Sequence, residues 1–158
     1  MKYIFLDVDG VLNNENTNES TPSGYVGVSM ELVRNLSKIV KSTGAKIILT
    51  SDWKQGWSEL LFCCDDDVSY LLDKLRKCGL KIHNRTYDEK LEDYFYTDRG
   101  AGIRSFLESC EDVEGYVIID DHIFSDFDKE QKLNFVHTDS KKGLTEDDVK
   151  KAIEILSR

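Results

Sequence analysis

Two aspartates one residue apart, Asp7 and Asp9, stand immediately before Gly10 at the end of the apolar run Tyr3 to Val8. Residues two apart on an extended strand share a face, and a turn at Gly10 lets the second carboxylate swing beside the first. One carboxylate can then attack phosphorus while the other handles the proton of a leaving group. The run Lys46 to Thr50 ends in Thr50-Ser51-Asp52, and Tyr116 to Ile119 ends in Asp120-Asp121. If the three runs lie side by side, these carboxylates crowd together, and they repel unless a divalent cation sits among them. Magnesium is the natural occupant of such a hard, all-oxygen site. Thr50 and Ser51 offer hydroxyl and backbone donors for phosphoryl oxygens, and Arg99 offers a positive group to offset charge on a transferring phosphoryl. Each piece alone has a bland explanation, as a turn, a cap or a solvated helix end. Their joint order does not.

The elements that must position these residues alternate between strand and helix. Leu32, Leu36, Ile39, Val40 and Thr43 fall on one helical face between Ser29 as N-cap and Gly44 as stop. The spacing of Trp57, Leu60, Leu61 and Cys64 predicts a short helix with Trp57 in the core, and Val68, Leu71, Leu72 and Leu75 predict a second, capped by the Asp65 to Asp67 triplet. Leu80 to His83 reads as a weak third strand. Ile103, Phe106, Leu107 and Cys110 mark a helix, Asn134 to Thr138 a last strand, and Val149, Ala152, Ile153 and Leu156 a closing helix, with Thr145 and Asp148 as its capping box. Continuous apolar runs, rather than alternating ones, dominate the strands. The fold class expected is therefore α/β, a three-layer Rossmann-like parallel sheet covered by helices on both faces, with ligands at the carboxyl ends of the strands.

The chain has 158 residues, 40% of them apolar, and one proline. That length suits a single domain over residues 1–158, burying about 70% of the surface the unfolded chain would expose, and it excludes a disordered tail or a collagen-like repeat. Cys63, Cys64, Cys78 and Cys110 form no C-x-x-C and no zinc spacing, as expected of reduced thiols in a cytoplasmic protein. No apolar run approaches the length of a membrane span, and two aspartates interrupt the N-terminus before any signal-peptide core. Thirty acids against 21 bases give a net charge of −9, all of it contributed by residues 63–130. Such a field repels polyanions, so a phosphorylated substrate needs a local cation to hold it. The basic stretch Lys74, Arg76, Lys77, Lys81 and Arg85 runs against the trend, and complementing a helix dipole is favoured for it over contact with nucleic acid.

Phe5-Leu6-Asp7-Val8-Asp9-Gly10-Val11-Leu12 resembles the first motif of the haloacid dehalogenase (HAD) superfamily of phosphatases, Ile48-Leu49-Thr50-Ser51 its second, Arg99 the basic residue of its third, and Ile118-Ile119-Asp120-Asp121 its fourth. Asn13, Trp53, the Arg99-Gly100-x-x-Ile103 helix start, and Thr138-Asp139 followed by Gly143-Leu144-Thr145 resemble the small cap-less branch that includes the phosphatase domain of bacterial RNA repair proteins. Where that branch commonly has Ser-Trp-Arg, this chain has Asp52-Trp53-Lys54, which keeps the charge and loses a bidentate donor. The resemblance implies Asp7 as nucleophile forming an aspartyl-phosphate and Asp9 as general acid and then base. It implies magnesium held by Asp7, the backbone carbonyl of Asp9 and one or both of Asp120 and Asp121. It also implies a phosphoryl group bound by Thr50, Ser51 and Arg99.

The segment 13–28 reads as a flap loop and 52–98 as a helical and loop segment shaping substrate specificity, so no large cap covers the site. An open site admits a phosphate at the end of a larger molecule. A nucleotide or a nucleic-acid end is the substrate expected, with no membrane and no obligate protein partner; a protein or small-metabolite phosphatase is the alternative. Trp53, Lys54, Tyr94 and Tyr96 are candidate substrate contacts. A receiver-like phospho-aspartate signalling module also gathers acids at strand ends, but the Asp-x-Asp pair comes first here. A two-metal nuclease fits the Thr-Ser motif poorly. Asp126 is either a further site acid or a solvated loop residue; a surface or structural role is favoured for His122, and packing for His83 and His137.

Overall fold

The computed structural model describes residues 1–87 and 99–158. Five strands, β1 (Lys2–Leu6), β2 (Lys46–Leu49), β3 (Ile82–Arg85), β4 (Gly115–Asp120) and β5 (Phe135–His137), form one parallel sheet in the order β3-β2-β1-β4-β5. The helices are α1 (Met30–Thr43), α2 (Asp66–Arg76), α3 (Arg99–Glu108), α4 (Lys129–Leu133) and α5 (Glu146–Leu156), with 3-10 turns at Asp52–Gly56 and Leu61–Cys63. The chain winds outward from β1 through β2 to β3, then returns to β4 beside β1 and continues to β5. The winding direction therefore reverses between β1 and β4, the place where a parallel sheet opens a crevice at its carboxyl edge.

Side-chain alternation divides the core into two layers. Ile4, Leu6, Ile47, Leu49, Val117 and Ile119 pack with Leu36 and Ile39 of α1, Leu71 and Leu75 of α2 and Val149 and Ala152 of α5. Tyr3, Phe5, Ile48, Tyr116 and Ile118 face the other way, onto Ile103 of α3 and onto Phe124 and Phe127. Phe5 meets Phe106 and Tyr116 edge to face at 5.6 and 5.8 Å, a geometry that adds to burial alone. This is the three-layer α/β fold without a large cap that the pattern of runs predicts.

Local chemistry sets most boundaries. Gly44, at φ +69, stops α1, Asp65 caps α2 by accepting from the Val68 N–H, and Thr145 with Asp148 forms the capping box of α5. Ser29 occupies the N-cap of α1 but makes no side-chain capping bond. Two boundaries differ from expectation. The third strand begins at Ile82 rather than Leu80, because the Leu80 N–H returns to the Leu75 carbonyl at 3.0 Å and Gly79, at φ +72, completes the end of α2. Residues 57–64 form no α-helix, only the 3-10 turn at Leu61–Cys63: Asp65 N–H donates to the Gly56 carbonyl and pinches the segment into a loop. Trp57 is buried there, while Leu60, Leu61 and Phe62 are exposed. No helix among the described residues is long and apolar enough to cross a membrane.

Candidate active site

At the reversal point, the ends of β1 and β4 deliver Asp7 and Asp120 side by side. The Asp7 N–H donates to the Ile119 carbonyl at 3.0 Å, continuing the ladder one residue past β1. Asp7, Asp120 and Asp121 each place a carboxylate oxygen within 4.8 Å of the others, with Asp7 and Asp120 buried. Arg99, the first residue of α3, places Nη1 3.1 Å from Asp7 Oδ1 and 2.8 Å from Asp120 Oδ2. Its guanidinium lies 4.5 Å from the centre of the Phe124 ring and 3.9 Å from Asp52.

One guanidinium cannot neutralise two buried carboxylates, so the pair holds a proton more tightly than free carboxylates do despite its ion pairs. Burial pushes Asp7 up to about 6, with Asp121 and Asp9 adding repulsion and Arg99 opposing the rise. Burial and the neighbouring Asp7 push Asp120 up to about 8, against Arg99 and the His122 N–H that donates to its Oδ1. Burial also works against the charge on Arg99, but Asp120 and Asp7 more than compensate and raise its pKa. Two charges of one sign with a single counter-ion and an all-oxygen donor set are the conditions a hard divalent cation relieves.

The chain turns sharply after the nucleophile candidate. Gly10, at φ +78, leaves no room for a side chain, since a Cβ there would sit 2.3 Å from Asp121 Oδ2. The Thr138 hydroxyl donates to the Gly10 carbonyl at 2.8 Å, and the Gly10 N–H donates to Asn13 Oδ1 at 2.8 Å. Asn13 Nδ2 in turn donates to Asp9 Oδ1 at 2.8 Å, and Trp53 Nε1 donates to Asp9 Oδ2 at 3.0 Å. Asp9 is therefore exposed yet fixed at both oxygens, and its carboxylate lies apart from the Asp7-Asp120-Asp121 group.

Thr50 follows β2, tied by its N–H to the Leu6 carbonyl. Its hydroxyl is fully buried and has no hydrogen-bond partner among the described residues, an arrangement that costs stability unless a ligand oxygen completes it. The Ser51 hydroxyl instead accepts from the Trp53 N–H and caps the 3-10 turn. Lys54 is buried, with Nζ 3.4 Å from Thr86 Oγ1 just beyond β3. Tyr94 and Tyr96 lie outside the described residues.

Other candidates serve the scaffold. Asp126 Oδ2 accepts from the Ala101 N–H at 2.8 Å, holding the first turn of α3. Gln131 Nε2 donates to the Gly100 carbonyl, and Arg104 Nη1 donates to both the Asp126 carbonyl and Gln131 Oε1. Sequence reasoning does not find this brace of Arg99. Its only visible signal is the Asp128-x-x-Gln131 capping box that starts α4. His137 is exposed rather than packed in the core, with Nε2 2.9 Å from the Asp121 carbonyl, whereas His83 Nδ1 accepts from the Ile47 N–H. In the basic stretch, Lys74 pairs with Glu19, Arg76 with Asp73, and Arg85 Nη1 reaches the Lys54 carbonyl.

No curated protein and no solved structure matches the chain. A family model does, over residues 3–149, a span that takes in β1 from its second residue, β2 to β5, and the whole constellation from Asp7 to Asp121. The chain thus belongs to the family described as the HAD domain in Swiss Army Knife RNA repair proteins, within a superfamily of phosphatases and related hydrolases.

Proposed function

We propose that the protein is a magnesium-dependent phosphomonoester hydrolase acting through an aspartyl-phosphate on Asp7, with nucleotides or nucleic-acid terminal phosphates as substrates. The observation that carries this reading is the meeting of Asp7, Asp120 and Asp121 within 4.8 Å under one arginine, together with the buried Thr50 hydroxyl, which has no partner among the described residues. Asp7, Asp120 and Asp121 would hold magnesium, which when bound supplies charge to offset the phosphoryl oxygens.

Asp7 Oδ attacks phosphorus, the bond from phosphorus to the ester oxygen breaks, and Asp9 donates its proton to the departing alcohol. Asp9 then takes a proton from water; the resulting hydroxide adds to phosphorus, and the bond to Asp7 breaks to release inorganic phosphate. Arg99 and the Thr50 hydroxyl bind phosphoryl oxygens. Asn13 and Trp53 each donate to one oxygen of Asp9 and so hold its carboxylate in a fixed orientation for both proton transfers. Turnover of a chromogenic aryl phosphate, with magnesium and with chelator, tests the reading. Magnesium-dependent release of phosphate is expected; no release with magnesium overturns it.

A further inference from the structure

Asp9 opens onto a cleft of about 640 Å³ whose walls include Tyr25, Asp52, Trp53, Asp65 and Asp67. If Asp9 protonates the departing oxygen, this cleft is where the departing group lies. Its size is that of a small-molecule site, and its walls are fixed. The Ser23 N–H donates to Asp67 Oδ1 at 3.0 Å and the Val28 N–H to the Tyr70 hydroxyl at 3.0 Å, so both ends of the flap segment bearing Tyr25 are fastened to α2. The Trp53 indole is held on the other side by its bond to Asp9. Tyr25 is 69% exposed, an aromatic surface presented to the cleft by a fastened loop.

The wall chemistry is one-sided. Four carboxylates face the cleft with two aromatic rings, and among the described residues no lysine or arginine lines it. The cations of the site, Arg99 and the metal its acids would hold, lie at the phosphoryl end. A second phosphate on the departing group would therefore enter a negative field with no cation among the described residues of the cleft wall to pair with. A flat uncharged group meets aromatic walls suited to stacking.

Resting on the phosphatase reading above, we infer that the substrate is a monoester whose departing alcohol is a single uncharged nucleoside with no second phosphate, and that the cleft beside Asp9 enforces this. A nucleoside monophosphate is thus the preferred substrate class over nucleoside bisphosphates and phosphorylated oligonucleotide ends.

The test compares kcat/KM at fixed free magnesium for an aryl phosphate, nucleoside 3′- and 5′-monophosphates, nucleoside 3′,5′-bisphosphates and tetranucleotides bearing one terminal phosphate. Monophosphates are expected to exceed both multiply charged classes by about tenfold, as an unscreened repulsion from several carboxylates a few ångströms away implies. Added salt should shrink that ratio toward one. Asp67→Asn, which keeps the oxygen that accepts from Ser23, should shrink it about threefold. Equal or better efficiency on the bisphosphate or the tetranucleotide, or a ratio insensitive to both salt and Asp67→Asn, overturns the inference and leaves the phosphatase reading standing. Failure to hydrolyse any of the four classes overturns both.

Discussion

Asp7 and Asp9 are two residues apart and have opposite surroundings, and the roles proposed for them rest on that difference. Asp7 is buried against Arg99 and two other acids, whereas Asp9 is exposed at the cleft with both oxygens bonded. Asp7→Asn preserves volume and removes the nucleophile, so the variant should fold, by circular dichroism and melting, and retain less than about one part in 10³ of the activity. Substantial turnover would rule out the covalent route. Asp9→Asn should lose about 10² to 10⁴ on alkyl phosphates and much less on activated aryl phosphates, because proton donation matters most for poor leaving groups. Equal losses on both would remove the acid role from Asp9. These residues are legible in the sequence because each stands where an apolar run stops. What the sequence hides is whom they touch: nothing in the spacing of Asp9, Asn13 and Trp53 says that the indole and the amide clamp one carboxylate, or that Lys54, a candidate substrate contact, is buried beside Thr86.

Among the elements, α3 carries Arg99 as its first residue, so the position of that cation is set by how closely the helix approaches the loop before α4. Gly100 makes the approach possible: a Cβ there would stand 2.6 Å from the Asp126 backbone oxygen, which cannot swing aside as the end of a side chain can. Gly102, two residues on, would meet its nearest neighbour, the Tyr87 carbonyl, at an ordinary 3.4 Å. The two glycines of one helix therefore predict opposite outcomes. Gly100→Ala should cost about 1–3 kcal/mol from overpacking and lower kcat/KM by displacing Arg99. Gly102→Ala should be neutral or stabilise by up to about 1 kcal/mol through helix propensity. Denaturant melts of both variants check this, and equal effects would show that Gly100 does not set the approach. The strands and main helices follow from apolar runs and caps that act locally, which is why the sequence places them well. The loop at 57–64 defeats periodicity because one backbone bond, Asp65 to Gly56, competes with the helix that Trp57, Leu60 and Leu61 suggest. The brace of Asp126, Arg104 and Gln131 is long-range and leaves no period to read.

For the whole molecule, the reversal of winding between β1 and β4 places Asp7 and Asp120 in a buried position that the fold itself must stabilise. Burial pushes their carboxyls up to about 6 and about 8, both above the ordinary range near 4. Between those limits the folded state binds more protons than the unfolded state, so metal-free stability is fullest at low pH and falls as pH rises through the two folded values. The fall between pH 5 and pH 8.5 should amount to a few kcal/mol, on the order set by shifts of this kind and moderated by Arg99. A divalent cation substitutes for the protons. At pH 5.5 it must displace them, and at pH 8 it displaces fewer, so its stabilising effect should grow with pH. Thermal melts in chelator should show Tm dropping from pH 5.5 to pH 8, with magnesium raising Tm more at pH 8 than at pH 5.5. In Asp120→Asn the largest of these shifts is absent, so the pH slope should flatten and the response to magnesium shrink together. A metal-free Tm that climbs across that range, or a flattened slope with the magnesium response intact, would mean that protons and cation do not share the Asp7-Asp120-Asp121 site.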